Sequence, residues 1–146
     1  SGDTSAISKA YFEALSQTYF LVDGAIEILD CLKTKNYYLC ATTNGVARTQ
    51  YNRIKNSGLE PYFDDVFVSE TVGFQKPQKE YFEHVLASVP QFNKSDALIV
   101  GDSQSSDILG GINFGIDTCW LNPKGMPQKY KSTYEIANIM QTKDIL

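Results

Sequence analysis

One apolar stretch decides the fold of this chain, because it ends abruptly in a carboxylate and is followed by a second carboxylate five residues later. The stretch reads Leu98-Ile99-Val100-Gly101-Asp102-Ser103-Gln104-Ser105-Ser106-Asp107-Ile108. An apolar run bounded by glycine predicts a strand covered on both faces. Asp102 falls at the carboxyl end of that strand, where open α/β sheets bind ligands, and Asp107 is expected one turn into the following helix.

The two carboxylates suggest a site for a small hard cation. Carboxylates held this close repel each other unless a cation lies near them, and Mg²⁺ prefers oxygen ligands of this kind. The alternative is that Asp102 or Ser103 caps the helix and that Asp107 is a solvated charge in its first turn. A Gly-Asp pair alone does not decide between these interpretations.

Length and charge narrow the class of protein. The 146 residues suit one domain, and the net charge is −4, with 13 Lys and Arg against 17 Asp and Glu. No basic stripe is present, so we expect a small anionic metabolite as partner and no nucleic acid polymer. No apolar run approaches the roughly 20 residues that cross a bilayer, and the first residues do not form a signal pattern. These features predict a cytoplasmic protein without a membrane partner.

Cysteine and histidine offer little for chemistry. Cys31, Cys40 and Cys119 lie in apolar segments without metal-ligand spacing, so we expect three reduced core residues. His84, the only histidine, lies in an amphipathic helical pattern and is interpreted as a surface or packing residue. A mechanism built on a histidine base is therefore not expected.

Helical and apolar segments alternate along the chain. Strands are expected over 37–41, 65–69, 97–100, 116–121 and 134–136, and helices over 4–17, 23–35, 46–56, 76–88 and 105–114, with a short terminal helix. This order predicts an α/β fold with a doubly wound parallel sheet and right-handed crossovers.

Two further loops carry residues suited to phosphate. Thr43-Asn44-Gly45 follows a predicted strand and offers a hydroxyl, an amide and backbone N–H groups at a helix start, although a plain N-cap is the alternative. Lys76 precedes Pro77 at the start of another helix and would place a charge near a phosphate, although a solvated lysine is the simpler interpretation.

The order of these loops resembles the second, third and fourth motifs of the haloacid dehalogenase (HAD) superfamily. Thr43 matches the phosphate-binding hydroxyl, Lys76 the lysine, and Asp102 with Asp107 the acidic pair that holds magnesium. The local sequence at residues 43–45, 73–77 and 119–123 is similar to that of the pyrimidine 5′-nucleotidase subgroup.

The resemblance implies an HAD-like Rossmannoid fold and magnesium-dependent hydrolysis of small phosphate esters, with nucleoside monophosphates as the suggested substrates. It implies phosphate binding by Thr43, Asn44, Gly45 and Lys76, catalytic roles for Lys76 and Thr43, and Mg²⁺ binding by Asp102 and Asp107. Hydrolysis in the family proceeds through an aspartyl-phosphate. Dehalogenation is the second activity known in the family, and the metal-binding acids favour phosphate chemistry over it.

The family's nucleophile is missing from this sequence. It is the first Asp of an Asp-x-Asp motif on the central strand, and no Asp-x-Asp occurs here. By order, 1–21 is similar to the last helix of the family's helical cap, and 22–146 to a core without its first, central strand. We therefore expect no turnover by the chain alone.

A sheet without its central strand leaves two strands with unpaired edges. We expect a complementary amino-terminal fragment, strand exchange between copies, or direct pairing of the two strands to close the gap.

Other function classes fit less well or stay open. A non-catalytic α/β module that binds phosphate or a partner is supported by the missing nucleophile. A receiver-like domain would place its lysine after its acids, whereas Lys76 precedes Asp102. Flavodoxin-like binding needs a longer phosphate loop than 43–45 supplies.

Overall fold

Parallel strands form the centre of the molecule, as the alternation of segments predicted. The computed structural model describes residues 23–90 and 93–146, together with the backbone of three short strands before them. The strands are β1 (Lys9–Phe12), β2 (Ser16–Gln17), β3 (Phe20–Leu21), β4 (Tyr38–Thr43), β5 (Asp65–Val68), β6 (Ala97–Gly101), β7 (Asp117–Leu121) and β8 (Tyr134–Ile136). The α-helices are α1 (Ala25–Thr34), α2 (Ala47–Asn56), α3 (Ser69–Val72), α4 (Lys79–Ser88) and α5 (Leu109–Phe114).

The main sheet has the strand order β5-β4-β1-β6-β7-β8 within the described part of the chain. Each neighbouring pair is parallel. The carboxyl ends of β4, β5 and β6 therefore lie at one edge of the sheet. The doubly wound parallel α/β fold is confirmed.

Side chains alternate between the two faces of the sheet and fill a core on each. Leu98 and Val100 pack on the face covered by α1, with Ile28, Leu29 and Leu32. Ala97 and Ile99 pack on the opposite face, which α4 and α5 cover with residues that include Tyr81, Phe82 and Phe114. This two-sided burial explains why the strand that begins the key stretch is a continuous apolar run.

The amino-terminal segment differs from the prediction of a cap helix over 4–17. Lys9–Phe12 forms β1 in the main sheet, and Ser16–Gln17 pairs antiparallel with Phe20–Leu21. The helix prediction is wrong for these residues. The strands on either side of the central position present rows of N–H and C=O groups that need partners, and satisfying both rows outweighs the local helical spacing of this aromatic segment.

The central position that we expected to be vacant is thus taken by the chain itself. Along β1, Lys9 lies opposite Tyr38 of β4 on one side and opposite Ala97 of β6 on the other. At its other end, Phe12 lies opposite Ala41 and Val100. Direct pairing of the flanking strands is therefore wrong, and this position needs no strand from a fragment or a second copy. Whether 1–21 derives from a cap, as distinct from a core at 22–146, stays a prediction.

The cysteines follow the expectation with one exception. Cys40 and Cys119 are buried, and all three cysteines are free, whereas Cys31 is only half-buried because it lies at the flank of α1. Burial raises the pKa of the Cys119 thiol to about 12. His84 is exposed on α4 and meets the Phe67 ring edge-on, with ring centroids 5.9 Å apart, so its assignment as a surface or packing residue is confirmed.

Two helix starts also differ from prediction. The helix expected from Lys76 begins at Lys79, and the first turn after β6, Gln104–Ile108, is a π-helical turn. The expected terminal helix is a 3₁₀ segment, Ile139–Asp144. Over the residues described, no helix has both the length and the apolar character to cross a membrane.

Candidate active site

A buried ion pair lies at the carboxyl edge of the sheet, between two of the loops singled out in the sequence. The Lys76 Nζ donates to Asp107 Oδ1 over 2.8 Å, and both side chains are fully buried. The same ammonium donates to the Thr42 carbonyl over 3.0 Å and lies 3.4 Å from the Thr42 hydroxyl. Lys76 is therefore a fixed charge that connects its own loop to the end of β4 and to the turn after β6. The interpretation as a solvated lysine is wrong.

Asp107 is held by its own loop as well as by Lys76. Its Oδ2 accepts the Ser103 N–H over 3.2 Å, and its side chain lies against Gly101. A Cβ at residue 101 would overlap the Asp107 carboxylate, so only glycine leaves room for it at the end of β6. Asp107 is thus a buried partner of Lys76, and its alternative interpretation as a solvated first-turn charge is wrong.

Asn44 fixes the main chain of the lysine. The Lys76 N–H donates to Asn44 Oδ1 over 3.0 Å, and Asn44 Nδ2 donates to the Lys76 carbonyl over 2.9 Å. The carbonyl oxygen and the NH₂ group of the Asn44 side chain therefore both bind the backbone of Lys76. This also explains the late start of α4, because the two backbone groups of Lys76 already have partners outside a helix.

The loop after β4 presents the remaining predicted phosphate ligands. Thr43 is half-buried at the end of β4, and its hydroxyl lies 3.4 Å from the Asn44 carbonyl. Gly45 donates its N–H to the Ser69 hydroxyl over 2.8 Å. The Thr43 hydroxyl is thus suited to hydrogen-bond an anion. The Gly45 N–H and the Asn44 side chain are already hydrogen-bonded to Ser69 and to the Lys76 backbone.

Asp102 begins the loop after β6 and has an exposed side chain. Its carbonyl accepts the indole N–H of buried Trp120 over 3.1 Å, which fixes the backbone there. The surrounding protein displaces water from the carboxylate and raises its pKa; nearby Asp107 raises it further, while Lys76 lowers it. Ser103, not Asp102, caps the next turn, because its hydroxyl accepts the Ser106 N–H over 3.2 Å.

The donors at this edge suit Mg²⁺, which typically takes one or two protein carboxylates and completes its shell with water and substrate phosphate. The described residues contain no group of three or more His, Cys, Asp or Glu side chains that could hold a metal ion together. Asp107 already accepts Lys76 and Ser103 on separate oxygens. The Asp102 side chain is exposed, whereas the Asp107 side chain is fully buried.

Sequence reasoning missed several supporting residues. Thr42 contacts Lys76 by its carbonyl and hydroxyl, the Ser103 amide holds Asp107, and Trp120 holds Asp102. The Thr42 carbonyl and the Ser103 amide are main-chain groups, which every residue type carries, so the amino-acid type does not reveal these contacts. Gly101 could have been found, because a glycine that ends a strand directly before an acid indicates close approach of another group.

Known proteins resemble this chain along nearly its whole length. The model of the haloacid dehalogenase-like hydrolase family matches residues 3–121. The chain belongs to this family. YfnB of Bacillus subtilis, whose name places it among the HAD-hydrolases, is 43% identical over 146 residues, which cover 99% of this chain and 62% of the relative. The pyrimidine 5′-nucleotidase PynA of Streptococcus pneumoniae is 38% identical over 146 residues, again covering 99% and 62%.

A solved relative agrees with the fold. The crystal structure of YfnB bound to magnesium has a TM-score of 0.84 and 46% identity, covering 88% of this chain and 57% of that one. The HAD family membership expected from the three motifs is confirmed. The chain spans about three fifths of the length of these curated relatives.

Proposed function

We propose that this chain carries the phosphate- and metal-binding half of a magnesium-dependent HAD phosphatase that acts on small phosphate esters. The observation that carries the proposal is the buried Lys76–Asp107 pair, which lies beside Thr43 and Asp102 at the carboxyl edge of the sheet. A fully buried ammonium is costly to keep unless a charge partner and hydrogen bonds compensate it, and here Asp107 and Thr42 supply both.

Each residue has a distinct role in the proposal. The Thr43 hydroxyl donates to a phosphate oxygen, and the Lys76 ammonium adds a fixed positive potential that stabilises charge on the transferring phosphoryl group. Asp107 keeps that ammonium in place, and Asn44 keeps its backbone in place. Of the four predicted phosphate-binding residues, Asn44 thus acts through Lys76, and Gly45 shapes the loop.

Magnesium, when bound, would neutralise phosphate oxygens and align the ester for displacement. Asp102 would hold it directly, and Asp107 would support the site by keeping the Lys76 ammonium in place. Mg²⁺ is commonly bound by one or two carboxylates together with water and substrate oxygens.

The proposed substrates are nucleoside monophosphates. A relative that is 38% identical across this chain is named a pyrimidine 5′-nucleotidase, and the segments 43–45, 73–77 and 119–123 resemble that subgroup's motifs. The organic part of the ester would lie outside the Lys76 site, since the side chains of Lys76 and Asp107 are fully buried.

The chain alone is proposed to be inactive. Covalent phosphoryl transfer needs a carboxylate that attacks phosphorus, forms an acyl phosphate, releases the ester oxygen with a proton and is then freed by water. The family takes that carboxylate from an Asp-x-Asp motif on the central strand, and the sequence contains no such motif. The groups present bind and position a phosphate without attacking it.

A binding and turnover experiment tests this proposal. Inorganic phosphate with Mg²⁺ is titrated into the chain by calorimetry, and we expect Thr43→Val to weaken phosphate binding about tenfold, because a hydrogen bond to a charged group is lost. Thr34→Val, at the carboxyl-terminal end of α1, is the matched control and should leave binding unchanged. Equal affinity in wild type and Thr43→Val would contradict the phosphate site.

Hydrolysis of an aryl phosphate by the same preparation separates binding from chemistry. We expect no turnover above the background rate. Robust turnover that Asp102→Asn abolishes would refute the inactivity of the chain and leave the phosphate site intact.

A second candidate is a non-catalytic module that binds phosphate or a partner. It is favoured by β1, which occupies the position of the family's nucleophile strand, in a chain without Asp-x-Asp. The coding sequence upstream of residue 1 discriminates the two candidates. A strand that ends in Asp-x-Asp supports the phosphatase, and an unrelated sequence supports the binding module.

A further inference from the structure

A cleft opens beside the phosphate site. Its volume is about 460 Å³, and Gly45, Ser69, Glu70, Phe74, Gln75 and Gln78 are among the residues that line it. The cleft is formed by sequence neighbours of the site residues, because Gly45 follows Asn44 and because Phe74 and Gln75 precede Lys76. Its size lies in the range of small-molecule sites.

The charge of the cleft decides which end of a ligand it suits. Among the described residues that line the cleft there is no lysine or arginine, and Glu70 contributes a carboxylate whose Oε1 accepts the Ala47 N–H over 2.8 Å. A phosphate group would be repelled here and is served by Lys76 and Thr43 instead. The cleft therefore suits the uncharged end of a phosphate ester.

The side chains in the cleft combine a ring face with amides. Phe74 is 44% exposed although it is a large apolar residue, and it has the planar surface on which a heterocycle stacks. The Gln78 Oε1 already accepts the Gln75 N–H over 2.9 Å, so Gln78 can offer a ligand its NH₂ group. Glu70 offers an acceptor for an exocyclic amine or a sugar hydroxyl.

We propose that this cleft is a base subsite, in which Phe74 stacks on the nucleobase of a nucleoside monophosphate whose phosphate lies at Thr43 and Lys76. The proposal rests on the proposed function and names the residues that select its substrate. Gly73, with φ +91° and open space where a Cβ would be, lets the chain turn so that Phe74 faces the solvent side of the loop.

Titrations with three ligands test the subsite in the chain with Mg²⁺. The ligands are cytidine monophosphate, cytidine and inorganic phosphate, and the variants are Phe74→Ala, Thr43→Val and the control Tyr134→Ala, which removes a 40% exposed ring from β8. We expect Phe74→Ala to weaken the monophosphate about fivefold or more, from the loss of one base stack, and to leave inorganic phosphate unchanged. Tyr134→Ala should change neither.

The outcomes separate this subsite from the phosphate site. If Phe74→Ala leaves the monophosphate affinity unchanged while Thr43→Val weakens it, the subsite is wrong and the phosphate site stands. If Thr43→Val has no effect and Phe74→Ala weakens both monophosphate and cytidine, the base subsite stands without the proposed phosphatase role. A wild-type chain that does not bind the monophosphate at millimolar concentration overturns the subsite. Amide chemical shifts of Gly45 and Gly73 that move with cytidine would place the base in the cleft independently.

Discussion

Replacing Lys76 by methionine should destabilise the fold far more than the loss of one surface charge would. Lys76 and Asp107 have no exposed side-chain surface, and their charged atoms are 2.8 Å apart. Methionine retains the length and the apolar stem of the lysine, so the change removes the ammonium and its hydrogen bonds. The Asp107 carboxylate would then stay charged in the interior without the ammonium, while it still accepts the Ser103 N–H over 3.2 Å.

The magnitude follows from that stranded carboxylate. Removing one member of a buried pair costs about 3–5 kcal/mol, because the other charge stays buried without compensation. Domains of this size have free energies of unfolding of about 5–15 kcal/mol, so the loss is a large share of the total. With a urea dependence of about 2 kcal/mol per M, the unfolding midpoint should fall by about 2 M.

A second substitution tests whether charge is the cause. Asp107→Asn keeps the size of the side chain and an oxygen for the Ser103 N–H, but it removes the charge. The double variant Lys76→Met with Asp107→Asn should therefore be more stable than Lys76→Met alone, by about 2 kcal/mol. The control is Lys33→Met, which breaks the 3.3 Å pair with Asp64, where the side chains are 37% and 31% exposed. We expect a loss of less than about 1 kcal/mol there.

Equilibrium urea unfolding, followed by circular dichroism and tryptophan fluorescence, compares wild type with Lys76→Met, Asp107→Asn, the double variant and Lys33→Met. The reasoning is refuted if Lys76→Met loses no more stability than Lys33→Met. It is also refuted if the double variant is as unstable as the sum of its single changes, since the two charges would then act independently.

Three further predictions concern the loops around this pair. Asn44→Ala should cost about 1–3 kcal/mol and speed hydrogen exchange at the Lys76 amide, since both of its hydrogen bonds to that backbone are lost. Gly101→Ala should cost about 1–3 kcal/mol in thermal unfolding, because its Cβ would overlap the fixed Asp107 carboxylate. Asp102→Asn should weaken Mg²⁺ binding in calorimetry by more than about tenfold. It should not reduce stability at pH 7, because the raised pKa of Asp102 means that its ionised form disfavours the fold; its stability relative to wild type should fall as the pH drops through the Asp102 pKa.

The strands of the core were predictable because burial on both faces leaves a direct signature. Every residue of β6 is buried, and its side chains alternate between two cores, so the sequence there is apolar without interruption. The end of that run placed Asp102 correctly at the carboxyl edge. Hydrophobic pattern alone was sufficient for this part of the site.

The amino-terminal strand was not predictable from the same kind of pattern. Residues 4–17 have apolar side chains at helical spacing, and the pattern contains no information about a gap elsewhere in the sheet. The backbone of Lys9–Phe12 pairs with strands that lie about 30 and 90 residues further along the chain. Pairing over such distances is decided by the edges that are available in the fold, and a local window cannot contain them.

The predicted start of α4 was wrong for a related reason. Lys76 before Pro77 is typical of a helix start. The Lys76 N–H and carbonyl are instead held by Asn44, which is 32 residues earlier in the chain, so the helix begins only at Lys79. The sequence therefore identified Lys76 as important but misjudged its conformation.

The spatial relation of Lys76 to Asp107 explains why this site can be recognised without its nucleophile. The contacts that hold the pair come from Thr42 and Gly101 at the ends of β4 and β6, and from Asn44 and Ser103 in the loops that follow these strands. These two strands flank the central position and end at the same edge of the sheet. A phosphate placed at that edge would meet the hydroxyl of one flanking loop and the acid of the other, with the lysine potential between them. In the proposed function, the central strand would supply only the attacking group, whereas its neighbours would build the electrostatic environment of the phosphate.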